Sequence, residues 1–334
     1  MKRDRQVLIP TQISPTALRG ASSGLAVRVS EGDAMGTTWK LRYQVPPDIT
    51  SGVIHKTVVD AFALIIRQMS HWDPTSELCR FNQAPAGTWL SVSAEFGQVL
   101  QRALVIARDS HGCCVPTLGK IVDLHGFGPI EASDCRPTDQ ELAQAKQHAD
   151  WSRLRFDTTT GRAFQPGCCQ LDLSSIAKGY AVDLAARDLL ELGLRDFVLE
   201  LGGELRGHGC KPDGLPWFIT IDTPPDLPET TVALCGISLA TSGDSLRRRN
   251  VGESEISHLI DPHTGESTIG SVLSVSVIST DCIDADAWAT ALYVAGPQRG
   301  PELAESQKLT AIFTFRSTAG HRQHFSSAAQ RLLE

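Results

Sequence analysis

The sequence predicts an α+β protein in which antiparallel or mixed sheets are flanked by helices. Three observations carry this. Strand-like stretches follow one another through the second half of the chain with few helices between them, unlike the regular alternation of a doubly wound parallel sheet. Apolar residues recur at helical spacing in only a few longer segments. Neither glycine pattern of the nucleotide-binding parallel sheets, G-x-x-x-x-G-K-[ST] or G-x-G-x-x-G, occurs.

Taken in order, residues 1–25 read as an irregular arm. "LAVRVSEGDAMGTTWKLRYQV" alternates as a hairpin does, with "EGD" as its turn. "HKTVVDAFALIIRQMSHWD" places Val58, Phe62, Ile65, Ile66 and Met69 on one helical face, and Asp73 before Pro74 is expected to stop it. A second helix is predicted over about 94–110, closed by His111 and Gly112, and "TDQELAQAKQHAD" is a polar, exposed helix. "RAFQ" and "CCQLDLS" read as strands. "GYAVDLAARDLLELGL" is a helix with Ala181, Leu184, Ala185, Leu189 and Leu192 in its stripe and Gly193 as C-cap. "FVLEL", "LRGHG", "WFITID", "TVALCGISLA", "SHLID", "VLSVSVIS" and "TAIFTF" are strands separated by Gly, Pro and Asp turns. "DCIDADAWATALYVAG" (281–296) is a buried helix ended by Gly296 and Pro297. No linker divides residues 26–334, which read as one continuous unit.

The chain of 334 residues has 41% hydrophobic and 21% charged residues, a soluble globular composition. No run approaches the ~18 apolar residues of a membrane span. A net charge of −7 argues against general nucleic-acid affinity, and the short basic run "LRRRN" reads as a solvated turn. The apolar run "VLIP" near the start is too short for a secretory signal. Nine cysteines, two vicinal pairs and no C-x-x-C form neither a disulfide framework nor a zinc pattern, so free thiols and a cytoplasmic location are expected.

Four stretches carry chemistry. The helix at 281–296 opens with Asp281, Asp284 and Asp286; one aspartate suits an N-cap, but three exceed that need. Asp286 and Thr290 lie a turn apart on one face, and a carboxylate with a hydroxyl makes hard oxygen ligands of the kind magnesium takes. In "LDLSSIAKGYAVD" (171–183), Lys178 and Gly179 head a helix; a lysine there either swings out to solvent or meets a phosphate. His258 in "SHLIDPHTGES" reads as structural or as a proton-transfer group, while "DPHTG" itself is a turn. "SHWDPTSELCRFNQ" leaves Trp72 and Asn82 on a loop, Trp72 being either core or a stacking platform for a flat ring. The glycines of "LGGELRGHG" read as a tight turn or close backbone approach.

In chain order, "MGTTW", "SHWDPTSELCRFNQ", "PTLGKIVDLHGFGP", "LDLSSIAKGYAVD", "VLELGGELRGHG", "LATSGD", "SHLIDPHTG" and "ADAWATAL" together resemble the ApbE-type flavin transferases (FAD:protein FMN transferases) over residues 34–296. The resemblance implies an ApbE-like (T-fold-like) domain over 26–334. It implies magnesium-dependent transfer of the FMN moiety of FAD, through its phosphate, to a Ser or Thr hydroxyl of an acceptor flavoprotein, with release of AMP. Residue by residue it implies Asp286, Thr290 and the main-chain carbonyl of Ser175 as metal ligands, and Lys178 at the phosphates. Met35, Trp72, His125, Gly126, Phe127, Asp172 and Ile260 fall at FAD contacts, Asn82 shapes the same pocket, and His258 is the general base. Were His258 not the base, Asp244 or an aspartate beside the metal would be the next candidate.

The chain departs from the family pattern in three places. His125 stands where Trp is usual, Val115 where Asp is, and Lys120 where Pro is common. Most members are exported lipoproteins, whereas the reading here is of a cytoplasmic enzyme. Two rival activities share the features: a magnesium-dependent FAD pyrophosphatase giving FMN and AMP, and a non-catalytic FAD-binding protein.

Overall fold

The computed structural model describes residues 4–10, 26–130, 135–243, 248–252 and 254–333. Within the expected N-terminal arm, β1 (Arg5–Leu8) is a strand, because its backbone finds a parallel partner far along the chain. The predicted hairpin is β2 (Val27–Ala34) and β3 (Thr37–Gln44). Its turn is not "EGD" but Met35 and Gly36, both at positive φ (51° and 73°), as a two-residue hairpin loop requires. Gly32 serves packing instead: a Cβ there would stand 2.9 Å from the Trp39 indole nitrogen.

Helix α1 (Ser51–Met69) starts at a Thr50 cap and ends at Ser70, earlier than Asp73. Then come α2 (Glu77–Gln83), β4 (Thr88–Ser91) and α3 (Ala94–Asp109), the last matching expectation. The next elements are α4 (Gly119–Leu124), α5 (Asp139–His148), with a Thr138/Glu141 capping box, β5 (Arg155–Asp157) and β6 (Arg162–Gln165). "CCQLDLS" forms no strand. Its backbone bonds to loops and a side chain: Leu171 N donates to Asn82 Oδ1 (2.7 Å) and Asp172 N to Pro116 O (2.9 Å).

Helix α6 (Ala177–Glu191) precedes β7 (Phe197–Leu201), β8 (Glu204–His208) and β9 (Trp217–Ile221). "TVALCGISLA" is two strands, β10 (Glu229–Leu234) and β11 (Ile237–Gly243), split at Gly236 (φ 77°) and assigned to different sheets. β12 (Arg248–Val251) and β13 (Ser254–Ser257) form a small hairpin, so "SHLID" leaves its strand at Ser257, and only Ile260 bridges onward, to Ser267. β14 (Val272–Ser279) leads into α7 (Cys282–Ser306), followed by β15 (Thr310–Ser317), β16 (Gly320–Phe325) and α8 (Ser327–Gln330). α7 breaks at Gly296 (φ 82°), where its end was expected, but resumes through Pro297.

Among the described residues the main sheet has eight strands in the order β16-β15-β14-β11-β8-β7-β3-β2, every neighbouring pair antiparallel. The α+β expectation is therefore met, with one parallel pair, β1 and β10, in the smaller β1-β10-β9 sheet. Period-two alternation splits the core. Phe197, Leu199 and Leu201 face the helices with Val275, Val277 and Phe313, while Val198, Leu239, Ile278 and Ile312 pack toward Trp217, Val232 and Leu8 of the smaller sheet. Helices, main sheet and small sheet thus form layers. Among the described residues no helix is long and apolar enough to cross a membrane.

Candidate functional site

A cavity of about 850 Å³ opens on the helix-facing side of the main sheet, at the β2–β3 turn, the end of α1, the starts of α6 and α7, the β7–β8 turn and the end of β11. The start of α7 shows why three aspartates gather there. Asp281 occupies the N-cap position but makes no capping bond. The cap comes instead from α6: the Asp183 carboxylate accepts from Cys282 N and Ile283 N, both at 2.9 Å. Asp281 and Asp183 both face Arg206 (3.4 and 2.6 Å). Asp284 turns away into a two-bond pair with Arg102. Only Asp286 points into the cavity, and it is 3% exposed.

α6 meets α7 at Gly179. A Cβ there would stand 2.4 Å from Cys282 O and 2.7 Å from Asp286 Cβ, so only glycine allows the helices this close. The approach lets Gly179 N–H donate to Asp286 Oδ2 at 2.8 Å. Thr290, one turn on, shares a hydrogen bond with Ser242 of β11 (Oγ to Oγ1, 3.0 Å). Ser175 lines the same space, its hydroxyl 3.4 Å from Cys114 Sγ.

Lys178 does not swing out to solvent. Its ammonium donates to Oε1 of Glu204, the first residue of β8, which is 2% exposed. Glu204 was missed in the sequence, where its stretch reads only as a glycine turn. A single carboxylate after Gly-Gly carries no local sign of a partner 26 residues earlier. Burial works against the Lys178 charge, but Glu204 and Asp286 together outweigh it and hold its pKa above the ordinary lysine value. Burial also pushes the carboxyls of Glu204 and Asp286 upward, with Lys178 pulling the other way. Among the described lining residues three carboxyl groups, Asp172, Glu204 and Asp286, thus stand against one ammonium.

Trp72 is 60% exposed at the cavity wall, tilted against His71 at 5.5 Å between ring centroids, so it is not core. Met35, Asp172, His258 and Ile260 also line the cavity. Asp172 accepts from Ser174 N (2.8 Å) and lies 3.8 Å from His71 Nδ1. Asn82, His125, Gly126 and Phe127 do not line it. Asn82 clamps the Leu171 backbone from both sides (2.7 and 3.1 Å) and so positions Asp172. His125 is 3% exposed, its Nε2 bonded to Gly265 O at 2.7 Å, and its own carbonyl accepts from Arg249. It latches the "DPHTG" turn to α4. The Phe127 ring meets His258 edge-on at 6.3 Å. Val115 lines the cavity wall. Asp244 lies outside the described residues.

The donor set suits magnesium better than a soft metal. Asp286 and Thr290 offer hard oxygens, and no group of three or more His, Cys, Asp or Glu is gathered among the described residues. Sites of this kind take few protein ligands and complete the shell with water and substrate phosphate.

Comparison with known proteins gives a consistent result. A sequence model of the ApbE family matches residues 35–313. The chain is 33% identical to the FAD:protein FMN transferase of Vibrio cholerae, covering 90% of this chain and 91% of that protein. It is 32% identical to the protein of the same name from Haemophilus influenzae, covering 91% and 90%. In structure it is similar to the Pseudomonas stutzeri flavinyl transferase ApbE (TM-score 0.85, 31% identity, covering 92% of this chain and 97% of that one). It is also similar to the flavin transferase ApbE of Vibrio cholerae (TM-score 0.83, 31% identity, 92% and 100%).

Proposed function

The chain belongs to the ApbE family, and on that premise we propose that it transfers the FMN moiety of FAD to a Ser or Thr hydroxyl of an acceptor flavoprotein, releasing AMP, with magnesium. The observation that carries this reading is the meeting of an anion site and a hard-cation site in one cavity. Lys178 and the N-terminus of α6 stand beside Asp286 and Thr290. With three carboxyls against one ammonium, the cavity repels a lone pyrophosphate and admits it with a divalent cation.

Asp286, Thr290 and the carbonyl of Ser175 would hold that cation, which supplies charge neutralisation at the pyrophosphate and at the departing AMP oxygen. Lys178 and the α6 N-terminus stabilise charge on the non-bridging oxygens. His258 removes the proton of the acceptor hydroxyl, whose oxygen attacks the FMN-side phosphorus as the bond to AMP breaks. Trp72 and its loop hold the isoalloxazine ring so that attack occurs in line. The test is incubation with FAD, Mg²⁺ and candidate acceptors, read by mass. An acceptor gaining FMN supports transfer; FMN and AMP released with the acceptor unchanged supports the pyrophosphatase.

Stacking makes its own prediction. FAD should quench Trp72 fluorescence, and Trp72→Ala should weaken FAD binding by about 1–3 kcal/mol, as loss of a base–aromatic stack does. Unchanged affinity would remove Trp72 from the binding site.

We place the protein in the reducing cytoplasm, a reading supported by nine cysteines with no disulfide among the described residues. Labelling of denatured, unreduced protein should find nine thiols, and an intramolecular disulfide would overturn the placement. In native protein near pH 8, exposed Cys135 and Cys168 should react. Cys114, Cys169 and Cys235, whose thiols burial pushes up to about 12, should stay protonated and silent.

A further inference from the structure

We propose that Glu204 is a positioning residue that acts through Lys178, holding the ammonium away from Asp286 so that cation and phosphate sites remain separate. The inference rests on the reading of Asp286 as the magnesium ligand. Lys178 precedes Gly179, whose N–H is bonded to Asp286, and the charges of Lys178 and Asp286 act on each other. Yet the ion pair Lys178 makes is with Glu204, on the β7–β8 turn, not with Asp286. An ammonium bonded to Asp286 would occupy the oxygens a cation needs.

The geometry of Glu204 suits the task. It follows Gly202 and Gly203, both at positive φ (61° and 104°). A Cβ at Gly202 would stand 2.6 Å from Thr37 Cγ2, so the turn is pressed against the β2–β3 hairpin and Glu204 has a fixed origin. Its Oε1 takes the Lys178 ammonium while Oε2 is buried with no hydrogen-bond partner. An ammonium has three donors, and the Glu204 bond uses one, leaving the others to face phosphoryl oxygens.

The test compares the parent with Glu204→Gln, Lys178→Met and the double variant, reading the Mg²⁺ concentration for half-maximal thermal stabilisation and for half-maximal transfer. Glu204→Gln weakens the hold on Lys178, which then pairs with Asp286. Both midpoints should rise about tenfold, within the usual range of coupling between contacting residues. Removing the ammonium as well should return the stabilisation midpoint to near the parent value, although transfer stays slow without Lys178. An unchanged midpoint in Glu204→Gln, or a double variant as impaired as Glu204→Gln alone, would overturn the proposal. Should Glu204→Gln not fold, the double variant against Lys178→Met decides: equal midpoints support the proposal, a tenfold difference overturns it. A parent whose stability ignores Mg²⁺ would sink the magnesium reading of Asp286 and this inference with it. A parent that responds while Glu204→Gln behaves identically sinks this inference alone.

Discussion

Replacing Asp286 by alanine is expected to abolish flavin transfer. Asp286 is the one aspartate at the start of α7 that points into the cavity, and it is almost fully buried. Its loss removes the charged ligand of the proposed cation and leaves the Gly179 N–H without its acceptor. Removing a single preorganised group that stabilises transition-state charge typically costs about 100- to 1,000-fold in rate, and a lost metal should cost at least that. Asp286→Asn separates the two effects. The amide oxygen can still accept from Gly179 while the charge is gone, so this variant should keep its thermal stability and lose turnover. Thr290→Ala, which removes a neutral ligand, should weaken magnesium less. Full activity of Asp286→Ala at ordinary magnesium would sink the assignment.

His258→Ala should suppress transfer by about 100- to 10,000-fold, the usual contribution of a positioned general base. The hydroxyl of Ser or Thr is almost wholly protonated near neutral pH, so the reaction needs a group to take its proton as the oxygen attacks. His258 lines the cavity and is braced edge-on by Phe127. The proposed cation ligands and the proposed Trp72 stack do not include the imidazole, so FAD and magnesium binding should persist. Any slow hydrolysis to FMN and AMP should fall less, because water is not held by a docked acceptor. Transfer should rise with pH as the imidazole loses its proton. The His258→Ala enzyme should lose that rise. A variant that transfers at the parent rate with the parent pH profile would mean that another group is the base.

What was legible in the sequence was local. Period 3.6 marked α1, α3, α6 and α7, and the polar run "TDQELAQAKQHAD" marked α5, because such patterns are written within one element. The family motifs brought Met35, Trp72, Asp172, Lys178, His258 and Asp286 to one cavity. What was not legible depends on pairs far apart in the chain. The cap of α7 comes from Asp183, the Leu171 backbone is held by Asn82, and Lys178 is held by Glu204. No spacing rule announces such partners. The "EGD" and "CCQLDLS" readings failed for the same reason: Gly32 answers to the Trp39 ring across the hairpin, and the backbone of 168–174 is satisfied by loops rather than a neighbouring strand.

The order of the main sheet sets when the cavity can exist during synthesis. Its walls run from Met35 on the first hairpin to Thr290 in α7, and β3 and β14 are separated by β7, β8 and β11. A ribosome must therefore release the chain through α7 before the cavity is complete, since Asp286 emerges last among its charged groups. A nascent chain already displays Trp72 but lacks Asp286 and Thr290, so it offers the proposed stacking surface without the proposed cation ligands. If the proposed function holds, capture of the dinucleotide waits for α7, and cellular FAD cannot template the early steps of folding.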